Sequence, residues 1–212
     1  IGIDKIAKVA EDFGLGKIYD VPLPNQKKGI IPSRDWKKKK YDESWYPGET
    51  LISAIGQGFV LTNPLQLAVM TSIIASDGKN IKPNIIKQEK DIEFEKLEKY
   101  QNAIKIIKSS MFKVVNENKG TAYNSRSELA PFAGKTGTSQ VRRITVAERE
   151  SEDFRKKEVE WKKRDHALFV GYMPVEKPKY AVSVVIEHGG SGASTAAPIA
   201  KEIFQFTKNL EI

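Results

Sequence analysis

Apolar residues recur at helical spacing near the start of the chain. Between Ile3 and Phe13 the residues Ile6, Val9, Ala10 and Phe13 fall on one face, and Gly14 stands where a helix would stop, so the pattern predicts a short amphipathic helix. From Leu15 to Glu49 the periodicity is lost. Pro22, Pro24, Pro32, Pro47 and several glycines punctuate this stretch, which predicts a long irregular surface segment with at most short strands. Asn63-Pro64 then supplies a helix cap and a proline suited to the first turn. The residues Leu65 to Ala75 are apolar nearly all round, which predicts a buried helix closed by Asp77-Gly78. A second helix is expected from about Leu97 to Val115, with Ile104, Ile107, Met111 and Val115 on its inner face and Asn116 to Gly120 closing it.

The pattern changes after Thr121-Ala122. Phe132 to Val141, His166 to Met173 and Tyr180 to Glu187 read as strands, the last with β-branched residues in near-alternation, and antiparallel pairing is expected. Val146 to Arg164, dense in Glu, Arg and Lys, predicts a solvated helix laced with i,i+4 ion pairs. Ala196 to Leu210 predicts a terminal helix packed back on the sheet through Ile199, Ile203, Phe204 and Phe206. Together these elements indicate an α/β layer structure, an antiparallel sheet with helices packed on it.

The chain has 212 residues, 40% of them hydrophobic, enough to bury a core. Its formal net charge of +8 makes nucleic acid and anionic lipid partners to consider. The basic run Arg34 to Lys40, with Lys27-Lys28, Trp36 and Tyr41 nearby, is read as a solvated loop because no nucleic-acid fold signature accompanies it. The absence of cysteine excludes disulfides, thiolate catalysis and cysteine-bound zinc. The two histidines, His166 and His188, lack further ligands at metal-binding spacing and are assigned capping or packing roles; no metal or organic cofactor is expected. No apolar run reaches membrane-spanning length, and the chain does not begin with Met, as expected of a piece or processed product of a longer polypeptide.

The chemistry concentrates in Gly134-Lys135-Thr136-Gly137-Thr138-Ser139-Gln140, where a cation, hydroxyls and a glycine sit together on a strand suited to anion recognition. In an extended strand Lys135 and Gly137 point to one face and Thr136 and Thr138 to the other, so both hydroxyls can line one groove. The missing Cβ of Gly137 lets a substrate backbone come close.

Lys135-Thr136-Gly137 resembles the third motif of penicillin-binding proteins and serine β-lactamases. The flanking sequence extends the likeness: Ile55-Gly56-Gln57-Gly58, Thr62-Asn63-Pro64-Leu65-Gln66, the turn Lys119-Gly120-Thr121-Ala122, and strands from Asp165 and Tyr180 follow in the family's order. Residues 1–212 thus resemble the C-terminal portion of a class B transpeptidase domain, and Trp45-Tyr46-Pro47-Gly48-Glu49-Thr50 suggests the elongation type. The resemblance implies a partial penicillin-binding-protein/serine β-lactamase-like fold. It also implies a peptidoglycan D,D-transpeptidase, in which a serine forms an acyl-enzyme with a stem peptide and passes it to a neighbouring amine. By the same resemblance Lys135 supplies positive potential and aids proton transfer, Thr136 and Thr138 bind the substrate carboxylate, Gly137 makes room, and the Thr138 N–H is an oxyanion-hole donor.

The family's nucleophile and second motif lie upstream of the third and are expected before Ile1. The internal matches Ser76-Asp77-Gly78-Lys79 and Ser110-Met111-Phe112-Lys113, and likewise Ser33-Arg34-Asp35 and Ser151-Glu152-Asp153, are read as mimics. The implied partners are peptidoglycan stem peptides, β-lactams only when the upstream part is supplied, and a membrane glycosyltransferase with other elongation-complex proteins, but not nucleic acid. The implied location is the periplasmic side of the inner membrane. A catalytically silent module binding wall peptides or an elongation partner is the alternative, and a basic nucleic-acid-binding protein the third.

Overall fold

The computed structural model describes residues 1–86, 93–142 and 159–210. Helix α1 (Ile3–Asp12) ends at Gly14, whose φ of +91° reverses the chain. Its buried edge is formed by Ile3 and Ala7, while Val9 is exposed, so the inner face is rotated from the one expected. The segment after it is not irregular throughout. Ser33 Oγ accepts from Trp36 N and starts helix α2 (Arg34–Tyr41), which includes the basic run expected to be a loop. Pro47 starts helix α3 (Pro47–Ala54), and Glu49 Oε2 accepts from Tyr46 N to close its first turn. Lys37 of α2 is buried with its ammonium 2.6 Å from Glu49 Oε1 and 4.2 Å above the Tyr46 ring, and this joins the two helices.

Helix α4 (Pro64–Ala75) begins as the sequence predicts, with Asn63 Oδ1 accepting from Gln66 N at 3.0 Å. Helix α5 (Gln101–Asn116) follows a short 3-10 turn at Glu98–Tyr100. It buries Ile104, Met111 and Val115, whereas Ile107 is exposed. Strands β1 (Ala133–Ser139), β2 (His166–Met173) and β3 (Tyr180–Ile186) form an antiparallel sheet in the order β1-β2-β3, with Thr136 opposite Phe169 and Phe169 opposite Val184. The expected charged helix at Val146 to Arg164 falls mainly outside the described residues; its described end holds a 3-10 turn at Trp161–Lys163. A π-helical turn at Gly192–Ala196 leads into helix α6 (Ala197–Asn209).

Two apolar clusters lie on opposite faces of this sheet. One joins Phe132, Phe169, Met173 and Val184 to Ala197, Ala200 and Phe204 of α6. The other joins Ala133 and Tyr172 to Val69 and Ile73 of α4, Ile104 and Met111 of α5, and Phe13. Helix α6 therefore packs on the sheet through two alanines and Phe204, while Ile199, Ile203 and Phe206 stay exposed, contrary to the expected face. Small residues let a helix approach the strands closely, and Phe204 packs on Phe132 with ring centroids 5.1 Å apart.

Candidate functional site

The site is built on β1, an edge of the described sheet. Phe132 belongs to the α6-side cluster and Ala133 to the α4-side cluster, so strand alternation puts Lys135 and Gly137 on the α4 side and Thr136 and Thr138 on the α6 side. This is the division the sequence predicts. Lys135 and Thr138 are exposed, and Thr136 and Gly137 are half-buried.

Gly192 shows which way the strand's polar groups point. A Cβ there would lie 2.3 Å from both Gly137 O and Leu168 O and 2.9 Å from Gly137 N, so the polar groups of Gly137 lie on the β2 side. In an antiparallel pair the N–H and C=O of one residue point the same way and alternate along the strand, so those of Thr136 and Thr138 face the open edge. Both of these outward carbonyls already hold a side-chain donor. Lys135 Nζ donates to Thr136 O at 2.6 Å, and Gln57 Nε2 donates to Thr138 O at 3.1 Å. The two threonine N–H groups face the same edge, so the strand offers two main-chain donors beside an ammonium.

A second contact locks the motif to the turn that precedes it. Gly120 sits so close to the end of α5 that a Cβ would fall 2.2 Å from Val114 O, and Ala122 N donates back to Val114 O. This tight return places Thr121 Oγ1 2.8 Å from Thr136 Oγ1, in a hydroxyl pair. The Thr136 hydroxyl is thus engaged within the protein, and the exposed Thr138 side chain points to the same face. A cleft of about 450 Å³ opens beside Thr121, lined also by Asn124, Ser194, Lys201 and Gln205. A cleft of about 500 Å³ between Tyr19, Val69 and Asn80 shares no residue with β1.

The histidines stand at the end of this strand, since Ser139 faces His166 across the ladder. His188 N donates to His166 Nδ1 at 2.9 Å, the rings lie 4.8 Å apart, and Trp161 packs 4.7 Å from His188. They cap the β2–β3 end.

None of the described Ser-x-x-Lys matches forms a serine–lysine pair. Ser76 ends α4 and donates to Ile73 O, and Asp77 and Gly78 then turn the chain with positive φ. Ser110 donates to Ile106 O while Lys113 pairs with Glu117. Ser33 caps α2, and Ser151-Glu152-Asp153 lies outside the described residues. Two residues with no role assigned from sequence prove central. Gln57 reaches the motif strand, and the buried amide of Gln66 donates to Lys17 O and Lys28 O and accepts from Gly16 N and Thr62 Oγ1. Their sequence signals were present in the Gly-Gln-Gly triplet and the glutamine of the Thr-x-Pro-x-Gln segment.

Residues 1–205 match the family model of the penicillin binding protein transpeptidase domain. The peptidoglycan D,D-transpeptidase MrdA of Haemophilus influenzae is 33% identical over 99% of the chain, which covers 33% of that relative. The structure of the Helicobacter pylori penicillin-binding protein PBP2 in complex with MreC superposes with a TM-score of 0.80 at 32% identity, over 100% of this chain and 36% of that one. Pseudomonas aeruginosa PBP2 gives 0.75 at 34% identity, over 95% of this chain and 42% of that one. The chain spans about a third of the length of the curated relatives it matches.

Proposed function

Since the chain belongs to the penicillin-binding protein transpeptidase family, we propose that it is the substrate-positioning part of an elongation-type peptidoglycan D,D-transpeptidase, with the attacking serine supplied by residues outside this sequence. The observation that carries this reading is the open edge of β1, where Thr136 and Thr138 turn their N–H groups outward beside the Lys135 ammonium. In the reaction, a serine Oγ bonds to the penultimate D-Ala carbonyl carbon of a stem peptide. The amide bond to the terminal D-Ala breaks as its nitrogen takes up a proton. An acceptor amine then attacks the ester carbon, releases the serine and leaves a cross-link. The Thr138 N–H faces the oxygen that becomes negative in each tetrahedral intermediate, and loss of one such donor costs roughly 3 kcal/mol of transition-state stabilisation. The Thr138 hydroxyl, with that of Thr136 beside its Thr121 partner, binds the terminal carboxylate, while the Lys135 ammonium at the strand edge supplies positive potential and assists proton transfer.

The solved complex of the Helicobacter pylori PBP2 with MreC supports an MreC-like partner for this chain; a membrane glycosyltransferase partner and a periplasmic site at the inner membrane are part of the same proposal. Among the described residues no helix is long and apolar enough to cross a membrane. The basic α2 does not favour nucleic acid, because Lys37 is buried and Trp36 packs against Phe59 at 5.1 Å.

A fluorescent penicillin tests the proposal. The 212-residue chain alone stays unlabelled, and the chain joined to its upstream region is labelled and loses label on Lys135→Ala. Covalent label on Ser76 or Ser110 of the chain alone would overturn it.

A further inference from the structure

The Gly56-Gln57-Gly58 triplet has no place in the chemistry just described, yet its side chain lands on the motif strand. An extended peptide that adds to a sheet edge exchanges main-chain hydrogen bonds with it, giving an N–H to each outward carbonyl and taking a bond from each outward N–H. At Thr138 the carbonyl position is already filled by Gln57 Nε2, a primary amide donor like a peptide N–H, at 3.1 Å. We propose that Gln57 is a gate on this edge: its amide stands in for the incoming peptide's N–H and has to leave before that peptide pairs with Thr138.

The triplet is built for such a movement. Gly56 and Gly58 hold φ of +75° and +72°, a region that side-chain-bearing residues rarely adopt, and they flank the glutamine on both sides. A Cβ at Gly56 would meet nothing within 4 Å, whereas one at Gly58 would come 3.0 Å from Ile52 Cγ2 and Gln57 N donates to Ile52 O, so the backbone is anchored on α3 and the movement is that of the side chain. Gln57 is half-buried, and its bond to Thr138 is exposed to solvent, so water compensates the side chain when it swings out. The cost of breaking this bond is charged against every peptide that docks, and a peptide offering a well-aligned N–H recovers it. A ligand without that donor does not. The Thr138 carbonyl thus favours peptides that present an N–H, and the gate lowers the affinity of each ligand that displaces it.

The inference rests on the reading of β1 as a peptide-binding edge, and one titration separates the two. The 15N-labelled chain is titrated with diacetyl-L-lysyl-D-alanyl-D-alanine while the Thr138 and Ser139 amides and the Gln57 side-chain NH2 are followed by NMR. As the Thr138 amide shifts, the Gln57 NH2 signals move to the positions of a free glutamine. Gln57→Ala and the similarly sized Gln57→Met, neither able to donate, bind the peptide about five-fold tighter, as expected for one hydrogen bond that no longer has to be displaced. Peptide shifts at Thr138 with an unmoved Gln57 NH2, or equal or weaker binding by both variants, overturn the gate and leave the peptide-binding reading standing. No shift at Thr138 in any of the three proteins overturns both.

Discussion

The side-chain amide of Gln66 makes four hydrogen bonds, to Lys17 O, Lys28 O, Gly16 N and Thr62 Oγ1, and stitches two stretches of the proline-broken segment to the first turn of α4. Gln66→Leu keeps the volume but strands two carbonyls and an N–H, each costly when left without a partner. A loss of about 3 kcal/mol in urea unfolding is expected. Phenols report on the same region. Burial pushes Tyr19, whose hydroxyl donates to Gly14 O, up to about 12. Burial, with the charges of Asp77 and Glu176, does the same to Tyr172. Because the folded chain keeps these protons beyond the ordinary value of 10.0, their contribution to stability is complete below pH 10 and is lost as pH rises from there through 12. Absorbance titration should show Tyr19 and Tyr172 ionising late, both becoming ordinary on unfolding. At Asp12 burial opposes ionisation, but hydrogen bonds from Lys8, Lys99 and Tyr100 prevail and hold its carboxyl well below the usual range.

At the scale of elements, sequence signals fixed by backbone chemistry were readable and those set by partners were not. The Asn63-Pro64 start of α4 follows from cap geometry, and the three strands match their expected spans to within two residues. Helix α2 was hidden because its run of lysines carries no apolar period; it is held by the Ser33 cap, by Lys37 buried against Glu49, and by Trp36 on Phe59. Helix α6 was recognised with Phe204 rightly inward, but Ile199, Ile203 and Phe206 of its expected face stay exposed, since Ala197 and Ala200 take the inner positions. Phe204→Ala should cost about 3–5 kcal/mol. Phe206→Ala, at an exposed position, should stay within about 0.5 kcal/mol, and thermal melts of the two variants check the assignment. The reach of Gln57 across 81 positions to Thr138, and the pairing of Thr121 with Thr136, are tertiary events that no local pattern encodes.

For the whole molecule, the sheet is a partition with one apolar cluster on each face, and the motif strand is shared by both through Phe132 and Ala133. The Lys-Thr-Gly motif at residues 135–138 was legible in the sequence, and the direction of its main-chain groups became visible only with β2 and Gly192 in place. The two side chains that cover the Thr136 and Thr138 carbonyls have a consequence beyond any ligand. A bare strand margin is a template on which copies of the same chain can zip together, and proteins with such margins risk growing into aggregates. With an ammonium at one carbonyl and a glutamine amide at the next, a second copy has to displace both side chains before it pairs fully there. The strand margin thereby carries its own guard against self-assembly.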